Sequence, residues 1–387
     1  MPLELAEFNL SEERLEFRDT LRRFFEEHAP IAEVRRVMEE DGSGHSPVLW
    51  QGAAEELGLA GIAIAEELGG QGFGLKELGI ALGEVGRSLA PIPLLASAGL
   101  AGRVVQHVAG AEAGEWLTPI AEGRAATLAW VESAGDWDPA ATTLEISGDG
   151  PDVRLSGEKH FVLDAGAAAA LFVVARTPGT HCDEGLTLVA VDAEASGLVV
   201  ERPECLDLTR PVWTLRFADT PARIVGAVGS AAAGIRQGLD EATALLCAEM
   251  EGGMRKVIET AIDYAAERFQ FSRPIGSFQV IKHKCADLLI DYEGARTASD
   301  GAIVAHDESD PEAGVLTSVA KSHLGPAYVR MATESGQIQG GVGYTWEYDA
   351  HLYFRRALAS KALLGDESSH RDRLARHVAR QLEAGAA

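Results

Sequence analysis

The sequence predicts an α+β multidomain chain in three parts: an all-α N-terminal domain over residues 1–116, a middle antiparallel β domain over 117–225 and a helical C-terminal domain over 226–387. Apolar residues recur at helical spacing in the first and last parts, and in short alternating or β-branched runs between them. A chain of 387 residues also exceeds what one hydrophobic core usually organises, so two or three cores are expected. No repeat of roughly 20–50 residues and no low-complexity tract is visible, which sets solenoids and disordered linkers aside.

The elements follow in order. Ser11 fits a helix N-cap, Glu12 and Glu13 sit in the first turn where the helix dipole favours acids, and Phe17, Leu21 and Phe24 recur at helical spacing until Pro30 stops the run. Helical patterns between Leu49 and Ala101 are broken by EELGGQGFG (Glu66 to Gly74) and by LAPIP (Leu89 to Pro93), where prolines forbid continuation. The runs TLAWVES, HFVLDA, LFVVART, LTLVAVDA and WTLRFAD, separated by Gly, Asp and Pro, read as strands. From Ala231 the helical period returns with strong helix formers and persists to the C-terminus.

Composition narrows the function classes. With 59 acidic against 34 basic residues the formal charge is -25, which repels nucleic acid and anionic lipid, so an anionic ligand needs a local basic pocket. Cys182, Cys205, Cys247 and Cys285 have no CxxC spacing and the histidines form no HxxxH or HExxH pair, which points to reduced thiols and no metal. The start MPLELAEFNLSEE has no signal-peptide pattern, and the apolar stretches fall short of the ~20 residues that cross a bilayer. A cytoplasmic protein without a membrane span is expected.

The stretch ERFQFSRPIGSFQ (Glu267 to Gln279) carries most of the functional signal. A helix must end before Pro274, Gly276 permits a turn, and SFQVIKHKCADLLIDY restarts a helix, so a corner between two helices is expected. Arg268 and Arg273 could complement the helix C-terminal dipole while Phe269, Phe271 and Phe278 fill a core, but that leaves Gln270 and Gln279 unexplained. A ligand with a flat ring system and a pyrophosphate accounts for all of them: guanidinium for phosphate, phenylalanine for the ring, amides for ring edges. In SGQIQGGVGYTWEY (Ser335 to Tyr348), Gly340, Gly341 and Gly343 lie between helical segments, where backbone amides can approach a phosphate or ring. The spacing is not GxGxxG and no strand precedes it, so alone this is a turn.

Together, RFQFSRPIGSFQ and QIQGGVGY, in that domain order, resemble the acyl-CoA dehydrogenase family. LSEERLEFRDTLRRFFEEH looks like the family's opening helix, LWQGAAEELGLAGIAIAEELGGQGFG like its next helical segments, and GEKHFVLDA like the strand beside the flavin. The resemblance implies a C-terminal four-helix bundle and an FAD lying between the β domain and the C-terminal helices, its adenosine diphosphate half reaching a neighbouring subunit. Arg268 would face the pyrophosphate, with Gln270, Phe271 and Gln279 nearby; Gln337, Gly340 and Gly341 would meet the adenine end across a dimer contact; and Phe161 would cover the isoalloxazine where many relatives have tryptophan. The implied reaction is FAD-dependent α,β-dehydrogenation of an acyl-CoA thioester, with electrons passed to an electron-transfer flavoprotein.

Departures from the family pattern concern the base. Removing the α proton requires a carboxylate, which most relatives place in a YEGT-like motif. Here the matching stretch is RRALASKALLGDESSHRDR, with Leu364 or Gly365 at the glutamate position. Asp366, or Glu367, could serve after a small shift, or Asp366 could simply cap the last helix. Some relatives carry the base on the long helix before the corner; there the count lands on Ala242, with Glu241 and Glu249 nearby, and Glu249 sits in the apolar LLCAEMEGG, where a carboxylate is costly unless paired or functional. The third route is a base from a different partner chain, this chain being a non-catalytic or half-site subunit of a heterotetramer with a second acyl-CoA dehydrogenase-like chain acting on bulky thioesters such as steroid side chains; the alternative assembly is a homo-oligomer. WVESAGDWD (Trp130 to Asp138) stands where many relatives read TEPxAGSD, keeping Glu132 but changing Ser133, which leaves open a flavin oxidase or monooxygenase. Trp130 reads as core packing before flavin stacking, and His283 and Lys284 as solvated cations.

Overall fold

The computed structural model describes residues 10–40, 44–148 and 150–385. Helix α1 (Glu12–His28) begins on Ser11, whose side chain accepts from Arg14 N at 3.4 Å, and ends just before Pro30, which leads into α2 (Ile31–Glu40). Ser46 caps α3 (Pro47–Glu55) in the same manner, with Pro47 at the first helical position where its missing N–H costs nothing. Then come α4 (Leu75–Ser88), a π-helical stretch Leu95–Ala101 running into α5 (Gly102–Val108), and α6 (Ala113–Ala121). Leu117, taken from the sequence as the start of the β part, is buried in α6 instead, since Leu117 and Ile120 form that helix's inward stripe.

The chain divides into two compact units. One comprises Arg35–Leu78 and Pro91–Thr243, and holds the strands β1 (Ala126–Ala129), β2 (Ile146–Ser147), β3 (Asp152–Leu163), β4 (Ala170–Arg176), β5 (Leu186–Asp192), β6 (Leu198–Glu201) and β7 (Val212–Val225). They form one sheet in the order β1-β4-β5-β7-β3-β2, with β6 also on β7. All pairings are antiparallel except β1 with β4, which run parallel, so the expected antiparallel sheet is mixed at one edge. The alternation read from the sequence places Leu155, Leu171, Val173, Val189 and Leu215 on one buried face, each fully excluded from solvent.

The other unit comprises Met1–Val34, Gly79–Ala90 and Ala244–Ala387. Its helices are the greater part of α7 (Ala232–Glu267), then α8 (Gln279–Asp307), α9 (Ala313–Gln339), α10 (Ala350–Ala362) and α11 (Glu367–Gly385), with α9 packed against α8, α10 and α11. Glycines explain how α7 can sit so deep. A Cβ at Gly86 of α4 would lie 1.9 Å from Glu249 O, and one at Gly252 would lie 1.8 Å from Gly83 O, so the two backbones touch where no side chain fits. Gly253 faces the Tyr328 hydroxyl of α9 in the same way, at 2.1 Å. Between α7 and α8 the chain makes a small hairpin, β8 (Phe269–Gln270) with β9 (Arg273–Pro274). Among the described residues no helix is long and apolar enough to cross a membrane, no group of three or more His, Cys, Asp or Glu could hold a metal ion, and the four cysteines are free.

Candidate flavin and thioester site

The corner after α7 is a hairpin rather than a simple turn. Phe271 and Ser272 occupy its tip with φ of 52° and 64°, the doubly left-handed turn for which Asn-Gly is the usual choice. Neither residue takes this conformation cheaply, and Ile275 N closes the hairpin base on Arg268 O at 2.8 Å. The phenylalanines do not fill a core: Phe269 is 60% and Phe271 87% exposed. Arg273 lies over the Phe278 ring at 3.9 Å, whereas the exposed Arg268 has no side-chain partner among the described residues. Gln270 and Gln279 are also exposed. The Phe271 ring meets the Phe278 ring edge-on at 6.2 Å and is otherwise open to solvent, so the strained tip presents an exposed ring near an exposed guanidinium.

The glycine bend lies on the same unit. Gln339 ends α9, Gln337 is exposed two residues before it, and Gly340 takes φ 71° and ψ -149°, a conformation essentially restricted to glycine. Added Cβ atoms at Gly340 and Gly341 would meet nothing within 4 Å among the described residues, so the space beside this bend is open.

On the sheet unit, Phe161 sits in a register break of the β3–β7 pairing between Lys159 and Val162, with φ 54° and its ring 43% exposed. The bulge turns this aromatic out of the sheet, where Trp137 meets it at 6.0 Å. Trp130 is buried and donates Nε1 to Trp137 O at 3.1 Å. Lys159, fully buried, donates to Glu132 Oε1 at 2.8 Å and to Trp130 O at 3.0 Å, while Glu132 accepts from the backbone of Thr143 and Leu144. Burial alone would raise the Glu132 carboxyl, but Lys159 and these hydrogen bonds bring it down to about 2; burial takes Lys159 down to about 8 against the pull of Glu132. Glu132 is thus a tie between strands.

Each carboxylate considered as a base has a partner. Asp366 Oδ1 accepts from Ser369 N at 2.9 Å and Ser369 Oγ at 2.8 Å, capping α11, and these bonds lower its pKa. Glu367 pairs with Lys361 at 3.0 Å. Glu249 pairs with Arg356 of α10 at 2.7 Å, the two side chains only 3% and 4% exposed. Glu241, on the sheet unit, is bound by Arg103 at 2.7 Å and His107 at 2.9 Å, and these partners override burial to hold its carboxyl near 2. Leu364 and Gly365, the two residues expected to match the family's glutamate position, follow: Leu364 is buried with φ 60°, and Gly365 takes φ 94°. Lys284, read from the sequence as solvated, instead pairs with Glu334.

Two groups escaped sequence reasoning. Lys321 of α9, fully buried, donates to Lys361 O at 2.9 Å and Gly365 O at 2.7 Å, while His370 Nε2 meets Leu364 O at 3.0 Å, so the whole α10–α11 bend hangs on these side chains. The signal was a lone lysine on an otherwise small and apolar face of a helix. Glu251 accepts a hydrogen bond from Tyr292, and burial pushes its carboxyl up to about 7 against the pull of Tyr292 and Arg255.

Helical, sheet and helical segments follow one another in the order shared by one class of flavoprotein oxidoreductases. Residues 11–124 match the acyl-CoA dehydrogenase N-terminal domain and 232–379 its C-terminal domain. The acyl-CoA dehydrogenase IpdE2 of Mycolicibacterium smegmatis is 31% identical, over 95% of this chain and 100% of that protein. The solved steroid ACAD Tcur3481-Tcur3483 is 31% identical with a TM-score of 0.85, covering 97% of this chain and 99% of that one. Butyryl-CoA dehydrogenase of Megasphaera elsdenii, 23% identical with a TM-score of 0.88 over 96% of this chain and 100% of that one, shares the fold. The chain belongs to the acyl-CoA dehydrogenase family, FAD-dependent oxidoreductases of lipid metabolism.

Proposed function

We propose that this chain is the flavin-contacting, base-lacking subunit of a two-chain acyl-CoA dehydrogenase that acts on bulky, steroid-like acyl-CoA thioesters. The observation that carries this reading is the α10–α11 bend, where the sequence sets Leu364 or Gly365 against the family's glutamate and Leu364 is buried, with Asp366, Glu367 and Glu249 all engaged elsewhere. The likeness to a steroid ACAD named for two components supports it.

The residues present fit the cofactor: among the described residues Arg268 has no side-chain partner and position 341 has open space, and Phe161 is turned out of its sheet. Arg268 would oppose the pyrophosphate, Gln270, Phe271 and Gln279 would line that contact, Gln337, Gly340 and Gly341 would receive the adenine end of a flavin from across the subunit contact, and Phe161 would cover the ring system. FAD, when bound, supplies the acceptor for the hydride from the β carbon. The α proton goes to a carboxylate of the second chain, Leu363 and Leu364 contribute apolar surface that keeps water from that transfer, and electrons leave to an electron-transfer flavoprotein. The thioester loses one proton and one hydride and gains the α,β double bond.

The test is expression alone and with a neighbouring acyl-CoA dehydrogenase-like gene product, followed by anaerobic addition of a steroid acyl-CoA while the flavin absorbance is watched. Bleaching by the pair and none by this chain alone is expected. Bleaching by this chain alone, abolished by Glu249→Gln or Asp366→Asn, would instead establish the chain as a self-sufficient dehydrogenase.

A further inference from the structure

The loop between β1 and β2, which carries WVESAGDWD, is irregular apart from a single turn of 3-10 helix at Pro139–Ala141, yet side chains pin it at its base and in its middle. Glu132 accepts from the backbone N–H groups of Thr143 and Leu144, both at 2.9 Å, and closes the base. Arg176, only 4% exposed, donates Nη2 to Ala140 O at 3.0 Å and Nε to Thr142 O. Asp138 accepts from Arg236 at 2.9 Å and from Ala140 N at 3.0 Å, and Trp130 Nε1 holds Trp137 O at 3.1 Å. A buried guanidinium committed to loop carbonyls, with a carboxylate on either side of it in the chain doing the same for loop N–H groups, fixes this segment in one conformation and so fixes the side chain it presents.

That side chain is the half-buried Trp137. Its ring lies between those of Trp130 at 5.5 Å and Phe161 at 6.0 Å, both within the range of centroid distances at which aromatic rings attract. Phe161 needs such a neighbour. The register break takes it out of the β3–β7 ladder, φ of 54° is unfavourable for a phenylalanine, and 43% of the residue is exposed. Among the described residues the other ring beside it is that of His160, its own chain neighbour, at 6.4 Å. The same loop also approaches through Gly135, where an added Cβ would lie 3.9 Å from Phe161 Cε2. We propose that Trp137 is a positioning residue of the flavin site, holding the outturned Phe161 ring at a fixed tilt, 40° between the ring planes, so that the ring is aligned before the isoalloxazine docks. This rests on the reading of Phe161 as the ring that covers the flavin, and adds that Trp137 acts through Phe161. A ring held beforehand loses less freedom on binding than a loose one, and the gain appears as cofactor affinity.

The test is a double-mutant cycle read as FAD affinity, by fluorescence titration of the full chain, alone or with its second chain, after flavin removal. Trp137→Ala is expected to weaken FAD binding about fivefold, the scale of one aromatic pair, and Trp137→Phe to restore most of it. In the Phe161→Ala background Trp137→Ala is expected to add nothing, because the ring it positions is gone. A Trp137→Ala protein of lower stability but unchanged FAD affinity, or one that loses the same factor in both backgrounds, would overturn the proposal and leave the flavin reading of Phe161 standing. Unchanged affinity in Phe161→Ala, or a wild-type chain that takes up no FAD in either form, would overturn both. Should Trp137→Ala fail to fold, fluorine NMR of the chain labelled with 4-fluorophenylalanine decides with Trp137→Leu: the Phe161 resonance, assigned by its loss in Phe161→Leu, is expected to narrow and shift, and an unchanged resonance refutes the positioning role.

Discussion

The Glu249–Arg356 pair offers the sharpest separation between structural and catalytic readings. Its atoms lie 2.7 Å apart with 3% and 4% of the side chains exposed, in a region where α4 and α7 touch backbone to backbone. Removing one partner strands a charge away from water, which in such settings costs about 3–5 kcal/mol. Arg356→Met is therefore expected to lower the stability of the helical unit by that amount, and its melting temperature by roughly 10 °C, since a unit of this size shifts about 2–4 °C per kcal/mol. Glu249→Gln should cost a comparable amount. The double variant Glu249→Gln/Arg356→Met, which leaves no buried charge, should recover most of the loss, giving a coupling energy above about 2 kcal/mol in a double-mutant cycle. The assay is denaturant unfolding of all four proteins, with turnover of the assembled enzyme measured in parallel. Single variants costing under about 1 kcal/mol, or costs that simply add, would refute the argument; a Glu249→Gln protein of full stability and no turnover would identify the carboxylate as a base.

Other consequences are simpler to check. Phe271→Asn with Ser272→Gly should relieve the left-handed tip and raise stability by about 1 kcal/mol, while reducing flavin retention measured by absorbance after gel filtration; retention unchanged would remove the Phe271 tip from the proposed contact. Asp366→Ala should cost about 1 kcal/mol through the lost cap and leave turnover intact, so a dead but stable variant would show that the carboxylate does chemistry. Glu241 has a folded pKa of about 2 against an ordinary 4.5, so its stabilisation is fully present above pH 4.5 and is lost as pH falls through 2. Its contribution is roughly 3 kcal/mol, and Glu241→Gln should flatten the acid limb of a stability-against-pH curve measured between those limits; an unchanged limb would mean that other carboxylates dominate.

What the sequence made legible was local. Ser11 and the acids after it announced a helix start, and the alternation in LFVVART and LTLVAVDA announced buried strands, because caps and side-chain period are set within a few residues. The Asp366 cap was readable for the same reason. Partners far along the chain were not: Glu249 and Arg356 stand 107 positions apart, and no spacing rule joins them. The parallel pairing of β1 with β4 was likewise hidden, since strand order is decided by the sheet as a whole. The hairpin tip was missed for another reason. Phe-Ser is a poor pair for two positive φ angles, and local preference gives no warning when surrounding structure overrides it.

The α10–α11 bend is held by groups that do not depend on the side chain at position 364. Lys321 and His370 bind the carbonyls of Lys361, Leu364 and Gly365, and all of these bonds run to backbone atoms, so they hold the bend whatever side chain stands at position 364. Leucine there keeps the left-handed backbone even though a branched apolar residue gains nothing from it locally. The cost is borne by the surrounding contacts, and the shape survives because α10 must turn into α11 while both pack on α9. A residue at 364 can thus be exchanged without redesigning the fold, which is the condition under which two related chains could divide one reaction, one retaining the base and the other the architecture around it.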